Sequence, residues 1–252
     1  MYSHSEGESP KESSLLLTPK AGLLRQKSRN DRFGFTLAEV LITLGIIGVV
    51  AALTLPSIIS RNQKKQLELA LKKQYTVAQQ ALLQMATDRE EPVKAGDFPV
   101  WTFAKEYSVY FNILRYCGNT GCVGQESGDG GYDVKTYKTY NKSRIVMSDK
   151  LDDGQFQLVD GATYIIENPD PASKRLFITV DVNGYKKLPN AWGHDLFTFQ
   201  ITEDGKFLPM GAAETLYVDK NKYCSPTSSN GENGIGCTYA AMTDPNYWKN
   251  LP

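Results

Sequence analysis

Hydrophobic and polar residues divide the chain into distinct zones. From Val40 to Ile59 there are 20 residues without a charge, enough for a helix to cross a lipid bilayer. Beyond Pro56 the apolar residues recur at steps of three and four, the spacing of one helix face. These residues are Leu67, Leu71, Tyr75, Ala78, Leu82 and Met85. The pattern predicts one long helix over residues 35–91, bent at Pro56 and ended by Pro92.

Beyond this helix, residues 92–252 show short strands separated by turn dipeptides. Asp160-Gly161, Asn183-Gly184 and Asp204-Gly205 are pairs typical of tight turns. The strands predicted around them are Gln155–Val159, Thr163–Glu167, Arg175–Val182, Leu196–Thr202 and Lys206–Leu208. Apolar residues from Trp101 to Leu114 predict a second, short helix. The predicted fold class is therefore α+β, with four or five antiparallel strands packed against the amphipathic half of the long helix.

Charge sets the N-terminal residues 1–34 apart. Close to the apolar segment, four basic residues against one acidic residue give a local charge of +3; they are Arg25, Lys27, Arg29, Arg32 and Asp31. Such a cluster predicts that the upstream end stays in the cytoplasm and that residues 92–252 lie outside it. An ordinary signal peptide is disfavoured, because the apolar segment is too long and no A-x-A-like site follows it.

Two bulk properties narrow the possible functions. After residue 34 the chain has 22 basic and 24 acidic residues, so its charge gives no reason to expect nucleic-acid binding. Four cysteines, at Cys117, Cys122, Cys224 and Cys237, have no C-x-x-C spacing and lie on the side predicted to be oxidising. The local pairs Cys117–Cys122 and Cys224–Cys237 are favoured, and the two other connectivities stay open.

The residues at the start of the apolar segment resemble a known processing signal. Gly34-Phe35-Thr36-Leu37-Ala38-Glu39 is similar to the cleavage and methylation site of type IV prepilins and type II secretion pseudopilins. The resemblance implies that a prepilin peptidase cuts after Gly34 and that the new amino group of Phe35 is methylated. Glu39 then becomes the fifth residue of the mature chain. Pro56 lies where many of these proteins have a helix-bending proline, whereas Ala38 replaces the commoner isoleucine or valine.

This resemblance implies a structural subunit and not an enzyme. A cytoplasmic leader, residues 1–34, is removed, and the helix of residues 35–91 is anchored in the inner membrane. The partners implied are other pilin or pseudopilin subunits and an inner-membrane assembly platform, which build a type II secretion pseudopilus or a type IV pilus-like filament. In such a filament Glu39 pairs with the Phe35 amine of a neighbouring subunit. The alternative is that Glu39 only stabilises the helix N-terminus.

A second functional hypothesis is a minor, tip-located binding protein for adhesion, DNA uptake or substrate recognition. It rests on tyrosines expected to be exposed among lysines; these residues are Tyr132, Tyr137, Tyr140, Lys135, Lys138 and Lys142. Copy number in purified filaments separates the two hypotheses, since a shaft subunit is abundant and a tip subunit is not.

Few residues suggest chemistry, and no cofactor is expected. His194 is the only histidine outside the leader, and no nucleophile, P-loop or zincin motif accompanies it. Asp181, Asn183 and Asp195 offer oxygen ligands around a glycine turn, which is the donor chemistry that calcium prefers. The alternative, which we favour, is that these side chains cap the backbone of their own turns.

Overall fold

The computed structural model describes residues 34–123, 125–126, 132–133, 137–146 and 148–252. Residues 1–33 of the predicted leader and Lys135 therefore lie outside the described residues. The chain divides after Val50 into two compact units, and the first helix contributes to both of them.

Helix α1 runs from Leu37 to Arg89, which confirms the long helix expected from the sequence. It ends where Glu90 adopts a left-handed conformation with a φ of 58°, and Pro92 follows two residues later. Pro56 lies inside the helix. A proline has no backbone N–H to donate to the preceding turn, which is why a bend of the helix is expected here. The bend stays a prediction.

The second half of α1 packs on the sheet through the predicted face. Its buried residues are Leu71, Gln74, Ala78, Ala81, Leu82 and Met85. Tyr75 stacks on Phe199 of the sheet with ring centroids 5.6 Å apart. The buried Tyr164 hydroxyl donates to the side-chain oxygen of Gln74 at 3.0 Å, so a polar residue on this face keeps a partner.

Six antiparallel strands form the main sheet, in the order β1-β4-β5-β6-β7-β8. Their bounds are Ile113–Tyr116 (β1), Gly154–Leu158 (β4), Thr163–Glu167 (β5), Phe177–Asp181 (β6), Leu196–Ile201 (β7) and Phe207–Pro209 (β8). A separate pair joins β2 (Gln125–Glu126) to β3 (Tyr132–Asp133). The five predicted strands are confirmed within about two residues at each end.

One prediction about the region before the sheet is wrong. The helix expected from Trp101 to Leu114 is shorter, because α2 covers only Phe103–Ser108. Leu114 instead belongs to β1, where Ile113 pairs with Leu158 of β4. The side chains of this edge strand are mostly exposed, so its sequence lacks the alternation of apolar and polar residues that indicates a strand. Its apolar residues therefore fitted the helical spacing of the residues before them.

Both local disulfides are present, and they confirm the favoured pairing. Cys117 bonds to Cys122 and Cys224 bonds to Cys237, with Cα–Cα distances of 5.4 and 4.9 Å. The Gly-, Ser- and Asn-rich residues from Asn221 to Pro252 predict a loop held by the Cys224–Cys237 disulfide. The structure has more helix in this region than predicted, because it contains α3 (Lys220–Tyr223) and α4 (Thr238–Thr243). Trp248 beyond α4 is buried and contacts Phe197 of the sheet, which ties this region to the core.

Candidate functional site

The first turn of α1 is closed by three reciprocal hydrogen bonds between Thr36 and Glu39. The backbone N–H and the hydroxyl of Thr36 both donate to Oε2 of Glu39, each at 2.8 Å. The backbone N–H of Glu39 donates to the Thr36 hydroxyl at 3.2 Å. This arrangement is a capping box, in which side chains satisfy backbone donors that a helix start leaves unpaired.

The expected cleavage site lies directly before this cap. Gly34 and Phe35 precede α1 in non-helical backbone, and the Phe35 side chain is 87% exposed. A protease needs an extended and accessible peptide, and a helix would protect the bond. The geometry at the Gly34–Phe35 bond is therefore compatible with cutting there, although cleavage and methylation stay predictions.

The apolar segment of α1 exposes its side chains on every face. From Val40 to Ile59 all residues are exposed except Ala51, which is half-buried. In the described part of the chain, α1 is the one helix long and apolar enough to cross a membrane. A helix that is apolar all round is stable only when lipid or other apolar surfaces cover it.

A second group of polar residues occupies the turns around β6 and β7. Asp181 ends β6, and its Oδ1 accepts hydrogen bonds from the backbone of Asn183 and Gly184 at 3.3 and 2.8 Å. Its Oδ2 accepts from the Tyr137 hydroxyl at 2.7 Å. Asp195 precedes β7 and accepts backbone bonds from Asn190 and Ala191; their lengths are 2.7 and 2.8 Å.

The structure places Asp181 and Asp195 near each other, whereas the Asn183 side chain donates to the carbonyl oxygens of Lys187 and Leu188 at 3.5 and 3.3 Å. Burial, reinforced by the charge of Asp195, raises the pKa of Asp181. All four carboxylate oxygens nevertheless already accept protein hydrogen bonds, which is the turn-capping role. Among the described residues, the buried side-chain oxygens of Asn183 and Asn190 have no partner. Calcium binding here stays a prediction.

The turn between Asp181 and Asp195 depends on a glycine. Gly184 has a φ of 86°, and a Cβ placed on it would lie 2.2 Å from the carbonyl oxygen of Gly161. A larger residue therefore has neither the backbone conformation nor the space at this position.

His194 serves the structure of the same region. It is buried, and its Nε2 donates to the carbonyl oxygen of Tyr140 at 2.8 Å. Burial lowers the pKa of His194 to about 4, so the ring is neutral at pH 7.

Two of the tyrosines expected to be exposed for binding are buried. Tyr137 is fully buried and Tyr140 is 6% exposed, which makes that prediction wrong for both; the side chain of Tyr132 lies outside the described residues.

Two features escaped sequence reasoning. The first is the capping role of Thr36, which the Thr-x-x-Glu pattern before an apolar segment indicates as the signature of a capping box. Asp152, Asp153 and Glu167 place carboxylate oxygens within 4.8 Å of one another. No local pattern reveals this second group, because the pairing of β4 with β5 brings residue 167 next to residues 152 and 153.

Comparison with known proteins points to the N-terminal segment alone. Residues 29–55 match the family model described as the prokaryotic N-terminal methylation motif. No curated protein and no solved structure matches the chain. The matched segment contains Gly34, Phe35, Glu39 and the first part of the exposed apolar helix. With a long N-terminal helix followed by an antiparallel sheet, this match supports the identification of the chain as a type IV prepilin-like protein.

Proposed function

We propose that the chain is a structural subunit, cut between Gly34 and Phe35 and assembled through α1 into a filament. The filament is a type II secretion pseudopilus or a type IV pilus-like fibre. The proposal rests chiefly on one observation, the apolar surface of α1 that is exposed on all sides and overlaps a methylation motif. Lipid covers this surface before assembly, and other subunits cover it afterwards.

Small residues in the apolar segment support close helix association. A Cβ placed on Gly45 or Gly48 would meet nothing within 4 Å, so these positions are open to a neighbouring helix. In lipid, where apolar burial gives no net driving force between helices, close backbone approach at small residues strengthens packing.

The geometry of Glu39 supports a role in pairing between subunits. Both hydrogen bonds from Thr36 go to Oε2, and within the described residues Oε1 accepts none. Capping and pairing therefore use different oxygens of one carboxylate. In the proposed filament, Oε1 accepts a hydrogen bond from the Phe35 amine of the adjacent subunit, and the two charges offset one another inside an apolar bundle.

The proposed organisation follows from this role. Residues 1–34 form a cytoplasmic leader that prepilin peptidase removes, residues 35–91 form the assembly helix, and residues 92–252 form the extracytoplasmic head. The two disulfides in the head suit an oxidising compartment. An inner-membrane platform and other pilin-like subunits are the partners. We do not propose the tip-located binding function, because the burial of Tyr137 and Tyr140 removes the surface on which it was based.

Intact-mass and N-terminal sequencing of the membrane-extracted protein test the proposal. The expected mature chain begins at Phe35 and has one additional methyl group on its amine. The Gly34→Val variant is expected to retain the leader, because it places a branched side chain next to the bond to be cut. A mature wild-type chain that begins at any other residue would contradict the proposal.

A further inference from the structure

A basic cavity lies where α1 leaves its apolar segment. Its volume is about 700 Å³, and it lies between α1 residues 60–70, the turn after β6 and the last residues of the chain. The residues that matter to its chemistry are Ser60, Lys64, Lys142, Asp160, Lys187 and His194. We call this set the basic cavity.

The lysines of the basic cavity have little anionic compensation. Among the described residues, neither Lys64 nor Lys187 forms an ion pair or hydrogen bond through its side chain. Lys142 donates to the main-chain oxygen of the terminal residue Pro252, at 2.9 Å, so this lysine has a partner. Burial, followed by the nearby charge of Lys64, lowers the pKa of Lys142. Unpaired cations that line one cavity attract an anion.

The other titratable groups of the cavity do not neutralise these charges. Asp160 is the one acidic side chain in the lining, and it already accepts bonds from Lys73 at 2.6 Å and from Gln74 at 2.9 Å. His194 is neutral at pH 7, as described above. Lys64 and Lys187 are therefore the two lysines of the basic cavity without a side-chain partner among the described residues, and the lining offers no free carboxylate side chain to them.

A second depression beside the same stretch of α1 extends the positive surface. It is lined by Arg61, Lys65 and Lys249, with the indole of Trp248. Its acidic residue, Glu68, already pairs with Lys65 and Lys72 at 3.0 and 2.7 Å. The two depressions share Ser60 and Lys64, so the positive surface continues along this stretch of α1.

The position of the cavity along α1 matches the depth of lipid phosphates. Ile59 is the last residue of the uncharged segment, and Lys64 lies five positions further. At 1.5 Å per residue this is about 7.5 Å along the helix axis. The headgroup layer on each side of the hydrocarbon core is about 5–8 Å thick. Leu188, at the rim of the cavity, is 82% exposed and suits contact with the apolar boundary.

We propose that the basic cavity binds the phosphate headgroup of an anionic phospholipid in the leaflet surrounding the end of the apolar segment. The proposal rests on the proposed function, because it requires α1 to lie in a bilayer. Charge complementarity and continuity with the apolar segment favour lipid over a second copy of the chain. Bound lipid would hold the head against the membrane until the subunit leaves for the filament.

The test uses the full chain in nanodiscs of phosphatidylcholine with or without phosphatidylglycerol. Native mass spectrometry counts the phosphatidylglycerol molecules retained by the wild type and by the Lys64→Gln/Lys187→Gln variant. The matched control is Lys94→Gln/Lys105→Gln, which removes two exposed lysines outside the cavity. Each lysine near a membrane surface strengthens anionic-lipid binding about fivefold, so the cavity variant should bind about 25-fold more weakly. The control should bind like the wild type.

Three outcomes would overturn the inference. The first is equal lipid retention by the cavity variant and the control. The second is equally strong binding of inorganic phosphate in neutral nanodiscs with no preference for phosphatidylglycerol, which would identify a free-anion site. The third is a loss of chain–chain association in the cavity variant with unchanged lipid retention, which would identify a subunit interface. Thermal unfolding verifies that each variant is folded, and sequencing the N-terminus of the same preparation separates a failure of processing from a failure of lipid binding.

Discussion

Thr36 and Glu39 hold each other at the start of α1, and both donors of Thr36 converge on one oxygen of the Glu39 carboxylate. The acid of the processing motif therefore has a structural role within its own chain. Thr36 fixes one oxygen of this carboxylate, and among the described residues the second oxygen accepts no hydrogen bond.

Replacing Thr36 by valine should open the first turn of α1. Valine keeps the branched shape but has no hydroxyl to accept the Glu39 N–H or to donate to its carboxylate. The loss of a cap of this kind costs about 1 kcal/mol, which corresponds to about fivefold faster amide exchange at Glu39. Hydrogen-exchange NMR of the chain in micelles measures the exchange rate of the Glu39 amide. Thr36→Ser keeps the hydroxyl and should exchange like the wild type; equal exchange in all three chains would contradict the cap.

Glu39→Ala should leave processing at Gly34 intact and abolish incorporation into filaments. The variant removes the acceptor for the neighbouring Phe35 amine, which then stays unpaired in an apolar bundle. Sheared-filament yield and N-terminal sequencing measure the two steps separately. Filaments formed in normal yield by the variant would remove the assembly role, whereas Thr36→Ser should assemble normally.

Leu71 and Leu69 provide a matched pair on α1. Leu71 is fully buried against the sheet, and Leu69 is 54% exposed. Leu71→Ala should lower the free energy of unfolding by about 2–5 kcal/mol, because it removes apolar contacts and leaves a cavity. Leu69→Ala should change it by less than about 0.5 kcal/mol. Chemical denaturation distinguishes them, and equal effects would contradict the packing of this helix face.

The turn-capping role of Asp181 and Asp195 predicts little response to calcium. A chelator followed by calcium in excess should leave the midpoint of thermal unfolding unchanged. A calcium site filled at 100 times its Kd would add about 2.7 kcal/mol, a rise of about 5 °C or more for a head of this size. Such a rise, lost in Asp181→Asn, would establish the calcium hypothesis instead. Asp195→Asn should destabilise without calcium, because an amide has one oxygen for two backbone donors.

The buried carboxyl group of Glu167 should make the folded chain less stable as the pH rises. Burial, followed by the charge of Asp153, raises its pKa to about 8 in the folded chain, against about 4.3 for an unperturbed glutamate. The fold therefore favours the neutral form. This contribution, up to a few kcal/mol, is fully present below pH 4 and is lost as the pH rises through 8.

Thermal unfolding between pH 5 and pH 9 measures this effect. The unfolding temperature of the wild type should fall over the range, and Glu167→Gln, which is neutral throughout, should show a smaller fall. Glu106→Gln changes an exposed glutamate and should retain the slope of the wild type. A Glu167→Gln slope as steep as that of the wild type would exclude Glu167 as the source.

Several elements could be predicted because neighbouring residues alone specify them. The stripe from Leu67 to Met85 shows the helical period, and Asp160-Gly161 marks the β4–β5 hairpin. The edge strand β1 could not be predicted in this way. Its pairing depends on Leu158, more than forty residues away, and its exposed side chains leave no periodic signal.

The sequence by itself determined the processing motif and the uncharged helix that follows it, because each depends on residues close together in the chain; it favoured the local cysteine pairs, which the structure then confirmed. Only the tertiary structure decided that Tyr137 donates to a buried Asp181, that Glu167 lies beside Asp152 and Asp153, and that three separated lysines face one cavity. The physical reason is that burial and charge proximity depend on which strands pair and how α1 packs on them. These contacts join residues distant in sequence, and no local pattern encodes them.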